Sequence, residues 1–192
     1  MASGMDSASA EYARELTDFR DEKDAFFESS PQSPIMYGER GNRFSGLSYY
    51  PPDLGFQVVA TLERTDSYET AQIATSTGEM REMARYGVLR FRLADRDLTL
   101  SAFVDADDDE PEELFVPFRD ATSGKETYGA GRYLDLPFHA HGSGPHEIIM
   151  DFNLAYNPYC AYSEAYSCPL PPAENTLPVA ITAGEKNYTG HP

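Results

Sequence analysis

Residues 86–104 read YGVLRFRLADRDLTLSAFV, and this stretch decides the fold of the chain. Apolar side chains occupy alternate positions on both sides of a polar centre, at Leu89, Phe91, Leu93, Leu98, Leu100, Ala102 and Val104. A period of two places these side chains on one face of an extended strand. The polar residues 95–97 predict a tight turn between the two halves. The stretch therefore predicts an antiparallel β-hairpin with one buried face.

The same alternation continues on both sides of this hairpin, in shorter runs bounded by turn residues. These runs predict strands at residues 47–50, 56–64, 69–75, 79–83, 114–118, 132–138, 148–154 and 177–183. Short strands at this spacing are typical of an antiparallel barrel or sandwich, and the pattern leaves the choice between the two open. Residues 158–175 are rich in proline and tyrosine, and they predict a long ordered C-terminal coil.

The N-terminal part of the chain has a different period. Between residues 9 and 28 the apolar side chains fall roughly on one helical face, at Tyr12, Leu16, Phe19, Phe26 and Phe27. This spacing predicts one N-terminal helix, which Pro31 and Pro34 end because proline cannot continue a helix. Residues 1–8 are small and polar, and we predict that they are disordered. Residues 9–192 contain no repeat or linker and predict a single β-rich domain.

The charge of the chain limits its partners. The 192 residues carry a formal net charge of −17, and lysine contributes little to the 15 basic residues. Such a surface repels nucleic acid and anionic membranes, so neither is expected as a partner. Because the chain has neither the roughly 20-residue apolar run of a membrane helix nor a secretory signal, we expect a cytoplasmic protein. We interpret the acidity as adaptation of a halophile to high salt; the alternative is an ordinary acidic protein.

The C-terminal third of the chain holds the candidate site. Residues 118–133 and 151–160 concentrate glycines, tyrosines and polar side chains beyond what a plain core needs. Arg119, Lys125 and Arg132 are three cations in a chain otherwise poor in them. If the two arginines face each other across a hairpin at 119–132, their planar forks suit a carboxylate or phosphate. The alternative is internal pairing with an acidic neighbour, namely Asp120, Glu126 or Asp135.

The segment 151–160 completes this predicted site. Strand alternation sends Asp151 and Asn153 to the same face. A buried aspartate needs a partner, for which Arg119 and Arg132 are the candidates. In an active site Asp151 would instead act as a general base or a cation ligand. The predicted ligand-binding set is Arg119, Asp120, Lys125, Tyr128, Arg132, Asp151 and Asn153.

Residues 120–127 do not form a nucleotide-binding P-loop. Arg119 stands where that loop requires its first glycine, and Glu126 follows Lys125 where a serine or threonine is required. The block instead predicts a polar hairpin turn in which Gly124 adopts a positive φ. The acidic run at residues 105–110 lacks the ligand spacing of an EF-hand and predicts a solvated loop.

Cys160 and Cys168 are the two cysteines of the chain. A cytosolic location favours reduced thiols, and a disulfide would require the loop between them to double back, so both states stay open. Cys160 would be a nucleophile if a histidine lay near it, and His139, His141 and His146 are the candidates. A second possible site is a metal site formed by His139, His141 and Asp151. Two cysteines do not supply the four ligands of a structural zinc site, and we predict no metal.

The chain resembles, over nearly its whole length, a bacterial and archaeal family catalogued as domain of unknown function 1684. The resemblance rests on an ordered series of blocks: Arg20-Asp21, Ser33-Pro34, FSGLSYYP at 44–51, residues 120–132 and 151–160, CPLPP at 168–172, and AGE at 183–185. The family's name implies no activity, so the resemblance supplies no chemistry.

Two functions fit these residues. The first is a small-molecule-binding β-domain, which could be an enzyme acting on an anionic metabolite held by the 119–132 hairpin and the 151–160 segment. The second is a non-catalytic structural or interaction module whose polar blocks form a buried hydrogen-bond network. No motif identifies a cofactor, and a flavin-binding barrel is a form of the first hypothesis without a motif of its own. The oligomeric state stays open.

Overall fold

The computed structural model describes residues 2–36, 38, 40, 44–108, 110–138 and 145–190, without the side chains of residues 2–6 and 66–68. In this part of the chain one α-helix, α1 (Ala2–Ser29), precedes six strands. They are β1 (Gln57–Ala74), β2 (Met80–Leu93), β3 (Arg96–Asp105), β4 (Glu113–Phe118), β5 (Arg132–Pro137) and β6 (His146–Asp151). A coil interrupted by short 3₁₀ turns follows β6. The mainly β fold with an N-terminal helix and a long C-terminal coil is confirmed.

The described strands form one antiparallel sheet in the order β5-β4-β3-β2-β1-β6. The predicted hairpin is β2–β3, at the centre of this order, and Leu93 pairs with Arg96 across its turn. Ala94 and Asp95 form the turn, with φ angles of 50° and 58°. Positive φ at both central residues is the mark of a type I′ turn, whose twist matches that of the strands. The turn therefore lies slightly earlier in the chain than the polar residues indicated.

β1 and β2 are each one long strand where the sequence predicted two short ones. The β1–β2 register shifts between Arg64 and Glu69, and the β2–β3 register shifts between Arg85 and Gly87. A bulge leaves a residue unpaired, interrupts the side-chain alternation and bends the strand. The interruption explains why the sequence pattern split both strands. A Cβ on Gly87 would lie 2.5 Å from the Glu63 carbonyl oxygen, so the backbones approach too closely for a side chain.

The sheet curls into half a barrel, and its inner face carries the main core. Side chains without exposed surface form the centre of this core, among them Ala60, Leu62, Leu89, Leu100, Leu114 and Phe118. The coil after β6 contributes Leu177, Ile181 and Ala183 to the same cluster. The half-barrel is therefore completed by irregular chain instead of by a further strand.

Residues 177–183 and 47–50 are not strands of this sheet, contrary to prediction. The 177–183 segment buries alternate side chains, but its backbone bonds to the turn after β4: the Leu177 N–H donates to the Arg119 carbonyl at 2.8 Å, and the Val179 carbonyl accepts from Ala121 at 3.0 Å. Residues 47–50 contribute one bridge, at Tyr49. Packing on a core produces the same alternation as strand pairing, so alternation alone did not identify the backbone partner.

α1 packs against the C-terminal coil. Leu16 and Phe27 are buried, and the Phe27 ring meets the Tyr162 ring edge-on at 4.9 Å. Phe19 and Phe26, which the sequence placed on the buried face, are 50% and 38% exposed. α1 begins at Ala2, so residues 2–8 are helical where the sequence predicted disorder, and alanine and methionine in these turns favour helix. No helix in the described part of the chain combines the length and apolar character needed to cross a membrane.

Candidate functional site

Arg132 is fully buried at the start of β5, and its guanidinium binds the C-terminal coil. Nη1 donates to the carbonyl oxygens of Ala183 and Glu185 at 2.5 and 3.0 Å, and Nη2 donates to the Ile181 carbonyl oxygen at 2.9 Å. The same Nη2 lies 3.0 Å from Asp120 Oδ2. One side chain therefore satisfies three carbonyls of a segment that has no neighbouring strand.

Asp120 forms the other half of this network. Its Oδ1 accepts hydrogen bonds from the N–H and O–H of Thr122 at 2.8 and 2.6 Å and from the Ile181 N–H at 3.2 Å. The side chains of Arg132 and Asp120 are 0% and 1% exposed. Burial lowers the pKa of Arg132, and the charge of Asp120 opposes this effect. A buried ion pair of this kind needs further hydrogen bonds to its remaining groups. Backbone carbonyls accept from both terminal nitrogens of Arg132, whereas its buried Nε has no partner.

The turn between β4 and β5 depends on two glycines with positive φ. Gly124 has φ of 78°, and Gly131 has φ of 107°. A Cβ on Gly131 would lie 2.6 Å from the Phe118 carbonyl oxygen, so a larger residue does not fit. The hydroxyls of Thr122 and Thr127 bond to each other at 2.8 Å inside the turn. The polar turn that the sequence predicted at residues 120–127 is therefore present.

The three cations of this region do not meet at one ligand. Arg132 pairs in register with Phe118, and its guanidinium lies over the Phe118 ring on the core side. Arg119 follows Phe118 and faces the other side of the sheet, where it borders a separate groove. Lys125 is exposed. Internal pairing of Arg132 with Asp120, the alternative considered from the sequence, is what the geometry shows.

Asp151 pairs with neutral donors instead of the predicted arginines. Its Oδ1 accepts from the backbone and side-chain N–H groups of Asn153, both at 2.9 Å. Its Oδ2 accepts from the Tyr12 hydroxyl at 2.6 Å and the Gln57 amide at 3.3 Å. Asn153 also bonds to the backbone of Asp53 at 3.0 and 2.7 Å. The predicted ion pair of Asp151 is wrong because its neighbours across the fold are α1 and the start of β1.

Glu185 is a buried carboxylate for which the sequence analysis assigned no role. It is 1% exposed and accepts hydrogen bonds from the Tyr162 hydroxyl, from the Asn157 N–H at 2.7 Å and from the Lys23 ammonium at 3.2 Å. It therefore ties α1 to the C-terminal coil. In the sequence Glu185 is noticeable only as an acidic residue directly after Gly184. Its partner Lys23 is 162 positions away, and no sequence pattern links Lys23 to Glu185.

An open groove of about 880 Å³ lies on the face of β3, β4 and β5 opposite the core. Aromatic rings line it, namely Phe103, Phe115, Tyr133, Tyr156, Tyr159 and Tyr166. Its wall is fixed to the sheet because Tyr133 and Tyr156 exchange backbone hydrogen bonds at 2.9 and 3.0 Å. No sequence pattern indicated this groove, since its lining combines strand residues with coil residues far along the chain. The tyrosine-rich coil was the available signal.

The charged groups of the groove are mostly carboxylates, namely Asp105, Asp108, Glu110, Glu112, Glu113 and Asp135. Arg81 is the only cation among the described lining residues, and it pairs with Asp105 at 2.9 Å. Burial raises the pKa of Asp135. Burial also raises the pKa of Glu113, and the charge of Asp135 adds to that rise. The groove therefore places negative charge beside aromatic faces, the reverse of an anion site.

Cys160 and Cys168 are free thiols that lie against each other in the coil. The Cys160 N–H donates to Cys168 Sγ at 3.3 Å. The Tyr128 hydroxyl lies 3.7 Å from Cys160 Sγ and donates towards it, and also lies 3.5 Å from the Cys160 carbonyl oxygen. Tyr128, a predicted ligand contact, is thus a neighbour of the thiols and lies apart from the Arg132 network.

The histidine predictions fall largely outside the described residues, since His139 and His141 belong to the segment 139–144. His146 is described, and its ring packs against Phe138 at 6.1 Å. Across the described ranges, no group of three or more histidine, cysteine or acidic side chains could hold a metal ion. A Cys160–histidine pair that uses His139 or His141 stays a prediction.

Known proteins resemble this chain in sequence and in fold. The solution NMR structure of an uncharacterized protein from Haloarcula marismortui is 43% identical, with a TM-score of 0.74, and the match covers 97% of this chain and all of that one. No curated protein matches. The profile of the family described as "Protein of unknown function (DUF1684)" matches residues 42–186, which include the Arg132 network and the thiols. The chain therefore belongs to the DUF1684 family.

Proposed function

We propose that this protein is a small-molecule-binding β-domain whose groove takes an organic cation. One observation carries the proposal: aromatic rings line a groove of about 880 Å³ whose charged groups, apart from Arg81, are carboxylates. Organic cations are attracted to the faces of aromatic rings, and their alkyl surface packs against the same rings. The carboxylates of the groove offset the ligand's charge.

The size and the lining of the groove favour a substituted ammonium with an aromatic or alkyl body. Pockets that bind drug-sized ligands have volumes of roughly 300–1,000 Å³. Phe115 offers a partly exposed apolar ring, and Asp135 and Glu113 line the same groove. An inorganic cation would leave the rings without a partner, and an anion would be repelled by the carboxylates. The proposal is binding, and we assign no reaction to the groove.

An anionic ligand, expected from the sequence, has less support in this fold. Arg132 has no exposed surface, and Asp120 already offsets its charge. Ligand contacts by the other members of the predicted set stay predictions, namely Arg119, Asp120, Lys125, Tyr128, Asp151 and Asn153.

The alternative function, a structural or interaction module, is supported by the buried polar network. Arg132 and Asp120 bond to the coil at residues 181–185, and Glu185 bonds to the coil and to α1. We infer that this network holds the C-terminal coil in place. Because the same coil supplies Tyr156 and Tyr159 to the groove wall, a structural role for the network and a binding role for the groove are compatible.

Isothermal titration with benzyltrimethylammonium chloride tests the cation proposal. We expect saturable binding, weakened about fivefold to tenfold by Asp135→Asn, which corresponds to about 1 kcal/mol of lost attraction. Asp97→Asn is the matched control, because it removes a carboxylate that is 88% exposed at the other end of β3 and should leave the affinity unchanged. Equal affinity of the groove for benzoate, or no loss in Asp135→Asn, would contradict the proposal.

The pH dependence of the same titration gives a second readout. The raised pKa values of Asp135 and Glu113 mean that these groups become neutral above the ordinary carboxylate pKa of about 4 as the pH falls. The quaternary ammonium keeps its charge at every pH. The affinity should therefore fall on acidification through this range and level off once both carboxylates are ionised. An affinity that does not change with pH would show that the two carboxylates do not contribute to binding.

We also propose that the chain is adapted to high salt. Its net charge of −17 and its 43% identity to a protein from Haloarcula support this proposal. Hydrated surface carboxylates keep a protein dispersed when salt screens their mutual repulsion. A cytoplasmic location and the exclusion of nucleic acid and anionic membranes stay predictions from the same charge.

A further inference from the structure

Two separate anchors bring Cys160 and Cys168 together. Cys168 is fixed to the β1–β2 turn, because its N–H donates to Ser76 Oγ at 3.1 Å and its carbonyl accepts from the Ser76 N–H at 2.9 Å. Cys160 lies in the 3₁₀ turn Tyr159–Ala161, whose first residue packs its ring against Phe27 of α1 at 6.3 Å. The coil between the cysteines therefore doubles back, and Cys168 Sγ lies 3.3 Å from the Cys160 nitrogen.

A small oxidant can reach this pair. Cys160 is half-buried, so part of its surface faces solvent. Cys168 is 8% exposed but lies in the lining of the open groove. Both positions are thus accessible to a molecule of the size of hydrogen peroxide without unfolding of the core.

The two thiols differ in acidity. A hydrogen bond from the Cys168 thiol lowers the pKa of Cys160 to about 6; burial opposes this effect, and hydrogen bonds from Tyr128 and Ser76 add to it. The same thiol–thiol hydrogen bond raises the pKa of Cys168. At neutral pH Cys160 is therefore mainly the thiolate, which is the nucleophilic form, and Cys168 keeps its proton.

We propose that Cys160 and Cys168 form a redox-active dithiol that reduces a peroxide and closes to an intramolecular disulfide. The Cys160 sulfur attacks one oxygen of hydrogen peroxide, the O–O bond breaks, and the leaving hydroxide takes a proton from solvent to form water. The Cys168 sulfur then attacks the sulfur of the Cys160 sulfenic acid. The S–O bond breaks, and the hydroxyl leaves with the Cys168 proton as a second water. The two thiols lose two electrons, and the peroxide gains them.

The direct test treats the reduced protein with about one equivalent of hydrogen peroxide at neutral pH. Alkylation and peptide mass spectrometry then follow both cysteines. We expect both free thiols to disappear together, a linked pair of peptides that contain Cys160 and Cys168, and the loss of the mass of two hydrogen atoms. A thiol reductant should reverse the change. Thiols that persist, or a bridge between two chains, would overturn the proposal.

Single variants separate the two steps. Cys168→Ser should stop at the Cys160 sulfenic acid, which dimedone traps, and Cys160→Ser should lose the fast reaction with peroxide. Because Cys168 is buried and its replacement could impair folding, the wild-type protein supplies an independent measure. The rate of Cys160 alkylation should rise with a midpoint near pH 6, the value set by its pKa of about 6. A midpoint at the ordinary thiol value of about 8.5 would overturn the assignment of Cys160 as the nucleophile.

Tyr128→Phe is a milder variant that keeps both cysteines. It removes the hydroxyl 3.7 Å from Cys160 Sγ, so the alkylation midpoint should move upward. Tyr12→Phe is the matched control, because the hydroxyl it removes lies on α1 and bonds to Asp151 at the end of β6, so the midpoint should stay unchanged. Equal shifts in the two variants would contradict a local effect of Tyr128 on the thiolate.

Discussion

Arg132 illustrates, at the scale of one residue, how a cation serves the fold of this protein. Its two terminal nitrogens bond to the carbonyls of Ile181, Ala183 and Glu185 and to the carboxylate of Asp120. A buried carbonyl without a donor costs about 1–3 kcal/mol, so a coil that lacks a neighbouring strand needs donors from elsewhere. Guanidinium suits this task because its five N–H groups lie in one plane and diverge.

Replacing Arg132 by alanine should lower the free energy of unfolding by about 3–5 kcal/mol, because Asp120 would remain buried without its partner. Urea unfolding in high salt measures this loss, since urea does not screen charge. Lys125→Ala is the control: it removes an exposed cation from the same hairpin and should change stability by less than about 0.5 kcal/mol. Similar small losses of unfolding free energy in both variants would contradict a stabilising role of the network and would favour a ligand at Arg132.

Among the elements, the hairpin β2–β3 was predicted best because its signal is local. The alternation and the turn residues lie within one short stretch, and Leu93 pairs with Arg96 as that pattern requires. Its turn nevertheless places Ala94 and Asp95 in the left-handed region, at φ of 50° and 58°. This conformation costs an ordinary residue roughly 1–2 kcal/mol, and asparagine followed by glycine is preferred there.

The double change Ala94→Asn and Asp95→Gly should therefore raise the free energy of unfolding by about 1 kcal/mol. The exposed contact between Asp95 and Arg92, at 3.7 Å, is lost but contributes little. The urea midpoint measures the gain. Ala94→Val should lower the midpoint instead, because a β-branched residue tolerates positive φ poorly. A loss of stability in the Asn-Gly variant would mean that the turn is not type I′ in solution.

At the scale of the whole molecule, charge is the dominant property. A net charge of −17 on 192 residues makes the compact state repel itself wherever the carboxylates are not screened. Six carboxylates among the described residues line one groove, and the charge of Asp135 acts on Glu113 there. The stability of the fold should therefore respond to salt more than that of a neutral domain of the same size.

Raising KCl from about 0.1 M to about 1 M shortens the Debye length from about 10 Å to about 3 Å and should stabilise the protein. We expect a gain of at least about 1 kcal/mol, which raises the thermal midpoint by about 2–4 °C. A variant with three exposed glutamates changed to glutamine, Glu11, Glu28 and Glu147, should gain less from salt. A midpoint that is independent of KCl in both proteins would contradict salt adaptation.

The sequence by itself determined the features whose physical cause is local. Strand alternation, the N-terminal helix, the polar turn at residues 120–127 and the acidic surface each depend on neighbours within a few positions. The concentration of polar residues at 118–133 and 151–160 also indicated where the buried polar contacts of the fold would lie. These blocks became the Arg132 network and the thiol pair.

Only the tertiary structure decided the partners of those residues. Backbone carbonyls are the same at every position, so no pattern could show that residues 181–185 would need Arg132 as a donor. The groove has the same origin, because β3, β4 and β5 and the coil that carries Tyr156 meet only after the sheet curls. Because Arg132 is buried, its charge serves the fold. Because the sheet is curved, aromatic residues that are distant in the sequence line one groove. Both are properties of the folded chain as a whole.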